Sequence, residues 1–101
     1  MSPITTAPIP AADRIKQALT DALQPLELTI EDESARHAGH AGAKPGGETH
    51  FRVDIVAATF TGKTRIERHR MVNNALAAEF ARGLHALRIR AHTPEERAAI
   101  P

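Results

Sequence analysis

The sequence predicts a small α+β domain in which helices cover one face of a three-stranded sheet. Three observations lead there. Ile15, Ala18, Leu19, Ala22 and Leu23 recur at the spacing of one helix face. Phe51, Val53 and Ile55 alternate with His50, Arg52 and Asp54 in the two-residue period of a half-buried strand. The whole chain of 101 residues has the length of one domain, and its apolar segments fall in the order α-β-β-α-β-α.

The elements follow in turn. Three prolines in the first ten positions block regular pairing, so residues 1–9 read as a disordered lead-in to a domain over 10–101. Asp13 stands in the first turn of the first helix, where a negative charge suits the dipole, and Pro25 ends that helix. Leu26, Leu28 and Ile30 alternate with Glu27, Thr29 and Glu31 as a first strand, and Glu31, Asp32 and Glu33 read as its solvated acidic end. Residues 32–48 form a long Gly-, Ala- and His-rich loop, a length that is usually functional or disordered. After the second strand, a turn at Phe60-Thr61-Gly62-Lys63 leads to Thr64 and Glu67 at capping-box spacing. A helix is expected over 65–82 with Ile66, Val72, Leu76 and Phe80 facing the core and Gly83 closing it. A third strand covers 84–91, with His85, Leu87, Ile89 and Ala91 on one face and Arg88 and Arg90 on the other. Thr93-Pro94-Glu95-Glu96 starts a last helix, with an N-cap, proline at the first position and acids in the first turn.

Composition narrows the chemistry. Cysteine is absent, so this chain offers no disulfide, no thiol nucleophile and no thiolate ligand. A formal charge of +1 is far below the basic excess of a dedicated nucleic-acid binder, and three Phe leave little on which to stack bases. Six His in so short a chain point to metal or pH chemistry. The start lacks the basic and apolar regions of a signal peptide, and no apolar run nears the roughly 18 residues of a membrane span, so a cytoplasmic location is expected. Ser34 with His37 three residues on is not a triad without an orienting acid, and no phosphate loop, dinucleotide fingerprint or zinc-protease motif occurs. The chain reads as a non-enzyme with no small-molecule substrate.

Several segments together resemble the BolA family: Glu33-Ser34-x-x-His37, Gly47-Glu48-Thr49-His50-Phe51, Phe60-x-Gly62 leading to Arg68-His69-Arg70-Met71-Val72-Asn73, Leu84-His85-Ala86-Leu87, and Thr93-Pro94-x-Glu96. The resemblance runs from about residue 11 to 97. It implies an α-β-β-α-α-β layout similar to a type II KH domain, with a short extra helical turn around residues 62–66. It also implies a function: pairing with a monothiol glutaredoxin and sharing a [2Fe-2S] cluster with it. The ligands implied for this chain are His85, at the opening of the third strand, and His37, in the Glu-Ser-x-x-His frame. The loop also carries His40, which stays an alternative to His37.

The absent cysteines sharpen that implication. Two imidazoles can replace two thiolates on one iron, as in Rieske centres, but this chain has nothing softer to give. The thiolates would come from the glutaredoxin cysteine and its bound glutathione. Without the resemblance, His85 reads as a histidine at the core edge and His37 as an exposed loop residue. His50, His69 and His92 read as structural, ordering the loop's end, the helix start and the final cap respectively.

The rival class is a DNA-binding transcriptional regulator, a role with which the family has also been linked. Lys63, Arg65, Arg68 and Arg70 cluster at a helix start, where backbone N–H groups favour phosphate, and Arg52, Arg88 and Arg90 could add a basic sheet face. The low net charge and the missing Gly-x-x-Gly clamp of KH domains weigh against it. A solvated helix face, or a docking patch for the protein partner, explains the same four residues.

Overall fold

The computed structural model describes residues 9–33 and 50–100. The expected disordered lead-in falls almost wholly outside them, and the loop histidines His37 and His40 lie outside them as well. In chain order the elements are α1 (Ala11–Leu23), β1 (Glu27–Asp32), β2 (His50–Val56), a 3-10 turn (Ala58–Phe60), α2 (Arg65–Ala75), α3 (Ala77–Arg82), β3 (Ala86–His92) and α4 (Pro94–Ala99). The α+β architecture is therefore the observed one.

The three strands lie in the order β1-β2-β3. β1 runs antiparallel to β2, with Ile30 opposite Val53 and Leu28 opposite Ile55. β2 and β3 are parallel, with His50 opposite Ala86 and Val56 opposite His92. Parallel neighbours cannot be joined by a hairpin, so the chain crosses over through α2 and α3 before β3 begins. One consequence matters for function: β2 and β3 start at the same end of the sheet and finish together at the other.

The strand alternation places Phe51, Val53 and Ile55 on the covered face, all essentially inaccessible to solvent. Ile15, Leu19 and Leu23 of α1, Val72 and Leu76 of α2, and Phe60 close over them. Burying each such side chain stabilises the fold by roughly 1.5–3 kcal/mol. Leu28, Ile30, Leu87, Ile89 and Ala91 extend this core across both flanking strands. Arg52, Asp54, Arg88 and Arg90 fall on the opposite parity, and Arg88 and Arg90 are exposed. That face is polar and internally paired in part, as Arg52 binds Asp54 at 2.9 Å.

Local signals read from the sequence account for most boundaries. Gln24 leaves α1 in the left-handed region at φ 51, its N–H bonded to the Thr20 carbonyl, just before Pro25. Both capping boxes form, Thr64 with Glu67 at α2 and Thr93 with Glu96 at α4, where Pro94 takes the first position. Gly83 ends α3 at φ 121, a conformation that costs glycine little.

Five expectations need correction. The helix expected over 65–82 is broken at Leu76, whose φ −104 and ψ 16 leave helical geometry, so α2 and α3 are separate. Leu76 is anchored in the core, and the break lets α3 present Glu79 to Arg14 of α1, with an ion pair of 3.0 Å. The extra helical turn lies at Ala58–Phe60 and not around 62–66, where Gly62 turns the chain at φ 79 toward the Thr64 cap. Ile66 and Phe80 were expected in the core but are 65% and 37% exposed, because that stretch turns Val72 and Leu76, with Met71 and Ala75 beside them, toward it. Leu26 precedes β1 and is exposed, and Leu84 and His85 precede β3. Glu33, expected to be solvated, is buried and paired with Arg88.

Candidate functional site

The shared starting end of β2 and β3 gathers the imidazoles. His85 sits one residue before β3, exposed to solvent, while His50 opens β2 and is half-buried. Since His50 stands opposite Ala86, His85 falls beside it, and the two ring centroids are 5.2 Å apart with planes inclined by 50°. The sequence had assigned His50 to ordering the loop's end; only the parallel register shows that it faces His85.

The ends of the His-bearing loop are closed at this same place. The Glu33 N–H donates to the His50 carbonyl at 2.8 Å. The Glu33 carboxylate, in turn, accepts two bonds from the Arg88 guanidinium at 3.1 and 3.2 Å. Glu33 thus fixes where the loop leaves β1, and His50 fixes where it re-enters β2. His37 is four residues beyond Glu33, so covalent geometry keeps their Cα atoms within about 14 Å.

The other end of the parallel pair is occupied by a lock. Arg68 of α2 donates to both Glu96 carboxylate oxygens of α4 and to the carbonyls of Lys63 and Ala91, and its side chain is only 13% exposed. Its pKa is raised by the hydrogen bond to Glu96. Glu96 also accepts the Thr93 N–H, and these bonds, Arg68 first, lower its carboxyl to about 2.

This geometry divides the expected basic cluster. Lys63, Arg65 and Arg70 are exposed, whereas the Arg68 guanidinium is already engaged by a carboxylate and two carbonyls. At the start of α2 the Thr64 N–H is taken by Glu67 and the Glu67 N–H by Thr64, and the Glu67 pKa is lowered chiefly by its bond from the Thr64 backbone. Arg65, Arg68, His69, Arg90 and His92 nevertheless line one groove between α2 and β3. Arg52 is held by Asp54, which raises its pKa, and Arg88 by Glu33, so Arg90 is the sheet-face arginine that contributes to the groove.

Comparison with known proteins fits this architecture. A family model described as BolA-like protein matches residues 19–96, and the chain belongs to that family. The chain is 48% identical over 87 residues to Protein BOLA1, chloroplastic, of Arabidopsis thaliana, an alignment covering 84% of this chain and 54% of that protein. It is 45% identical over 89 residues to BolA-like protein 1 of Homo sapiens, covering 88% and 61% respectively. The chain therefore spans little more than half the length of these curated relatives. Among solved structures, the BolA domain of SufE1 from Arabidopsis thaliana superposes with a TM-score of 0.78 at 44% identity, covering 89% of this chain and 99% of that one.

Proposed function

We propose that the chain is a non-enzymatic adaptor that binds a monothiol glutaredoxin and co-ligates a bridging [2Fe-2S] cluster, in iron–sulfur cluster trafficking or iron homeostasis in the cytoplasm. The observation that carries this reading is the exposed imidazole of His85 at the sheet end where the loop bearing His37 and His40 is tied down. The donor set fits the cluster: imidazole is an accepted iron ligand in [2Fe-2S] centres, and thiolates must come from elsewhere because this chain has none.

When bound, the cluster supplies its own iron–sulfur chemistry. This chain's part is to hold and orient ligands. β3 fixes the backbone next to His85, and the hydrogen bond between Glu33 and His50 fixes both loop ends, so the ligand set needs only the short Glu33–His37 segment to close. Within the Glu-Ser-x-x-His frame His37 is the loop ligand, and His40 is the alternative. Glutathione and the glutaredoxin cysteine supply the sulfur ligands.

Anaerobic co-purification with a monothiol glutaredoxin and glutathione, followed by visible absorption and CD, tests the reading. A mixed complex should show a cluster spectrum distinct from that of the glutaredoxin homodimer. His37→Ala should weaken that spectrum more than His40→Ala. A spectrum identical to the homodimer's, with no complex formed, would overturn the assignment.

The groove lined by Arg65, His69, Arg90 and His92 favours a second reading, DNA contact. Neutralising Lys63, Arg65 and Arg70 together should then lower DNA affinity and flatten its salt dependence. Unchanged binding would leave these residues as solvated surface or a partner-docking patch.

A further inference from the structure

We propose that His50 and His85 form a two-imidazole site through which this chain, without any partner, binds a divalent first-row transition cation such as zinc. The distance is the reason. Imidazole nitrogens bound about 2.0–2.1 Å from a tetrahedral ion put the ring centroids of two ligands roughly 5 Å apart. The observed separation is 5.2 Å, and the 50° inclination keeps the rings out of a parallel stack.

The surroundings support a cation here. His50 opens β2 opposite Ala86, and His85 directly precedes β3, so the ladder holds the His50 backbone and anchors the residue next to His85. Sites on such elements lose less freedom on binding than sites on loops. Arg88 stands two residues along β3 from the partner of His50, and its charge is offset by the buried Glu33 carboxylate 3.1 Å away. The positive potential that would otherwise oppose a metal ion is thereby reduced. Borderline ions that accept neutral nitrogen, zinc above all, suit two imidazoles with water in the remaining positions.

This site differs from the cluster site in one ligand. It uses His50 where the cluster reading uses a loop histidine, and it requires neither glutaredoxin nor glutathione. Its failure and the failure of the cluster reading are therefore separable.

The test is zinc titration of the untagged 101-residue chain, followed by long-range 1H–15N spectra of the six imidazoles and by competition with a chromophoric zinc indicator. The His50 and His85 ring nitrogens should shift together and saturate at one equivalent. His50→Gln and His85→Gln should each weaken binding at least tenfold, and the double variant should be little worse than either alone. His37→Ala with His40→Ala should leave the affinity within about twofold. Far-UV CD checks that each variant folds, and the wild-type ring spectra decide the matter even if one does not. If zinc shifts His37 and His40 and spares His50, or if His50→Gln binds as tightly as wild type, the proposal is overturned.

Discussion

The two ends of the β2·β3 pair are built from similar residues and behave in opposite ways. At the end where the strands finish, one ion pair closes a network: Arg68 meets Glu96, Glu96 meets the Thr93 N–H, and Arg68 also satisfies two backbone carbonyls. At the end where they start, the fold brings His50 and His85 together and leaves His85 in solvent. A network whose donors and acceptors are spent on each other stabilises the fold, whereas an exposed imidazole just ahead of a paired strand is available to a ligand. Charge and histidine content alone do not separate the two ends; hydrogen-bond partners do.

The sharpest way to break this contrast is at His85. His85→Ala should abolish the cluster spectrum of the glutaredoxin complex while changing stability by no more than about 0.5 kcal/mol, as expected for an exposed side chain. Visible CD and a denaturant melt of the same preparation would show both. A large loss of stability would mean that this end is structural as well.

The opposite outcome is expected at Arg68. Arg68→Ala removes bonds to the Lys63 and Ala91 carbonyls and the contact between α2 and α4, so it should destabilise the fold by about 1–2 kcal/mol. The same variant should leave the cluster spectrum intact. Thr93→Ala should cost about 1 kcal/mol, the usual worth of an N-cap, since Thr93 is buried and its hydroxyl accepts the Glu96 N–H. Chemical denaturation, with midpoints compared at constant slope, measures both. If Arg68→Ala proved as stable as wild type but lost DNA affinity, the guanidinium would belong to the groove's function instead.

The same division explains what could be read in advance. Periodicity found α1 and β2, because each buries one unambiguous stripe: Ile15, Leu19 and Leu23 in one case, Phe51, Val53 and Ile55 in the other. Capping chemistry found the starts of α2 and α4, because Thr64 and Thr93 each act with a glutamate three residues on. The break at Leu76 carried no such local signal; it comes with the docking of Glu79 on Arg14, a contact 65 residues apart. Glu33 was misread for a related reason. The last acid of the Glu31-Asp32-Glu33 run looks solvated until the sheet brings Arg88 to it. The site was legible in part. His85 was marked by the family pattern, but its neighbour His50 follows only from pairing β2 with β3, which no spacing along the chain reveals.

The smallest expected effect concerns Glu96 and acid. Its carboxyl is lowered in the folded protein from 4.5 to about 2, first by Arg68 and then by the Thr93 N–H. A group with a depressed folded pKa favours the folded state when ionised, so its contribution is complete above the unfolded value of 4.5 and is lost as pH falls toward about 2. Because the Glu96 side chain is half-exposed, solvent screens the ion pair and the effect is modest. Glu67, whose pKa is also lowered, titrates on the same side and would blur a simple acid melt. Glu96→Gln resolves this, since glutamine can still accept the Thr93 N–H in a capping box while losing the charge that holds Arg68. The stability difference between wild type and Glu96→Gln should be constant from neutral pH down to about 4.5 and should shrink steadily below it, while contributions from Glu67 cancel in the subtraction. A difference that persisted undiminished to the lowest pH would show that Glu96 serves this end as a cap alone. The lock would then rest on Arg68 and its two carbonyls.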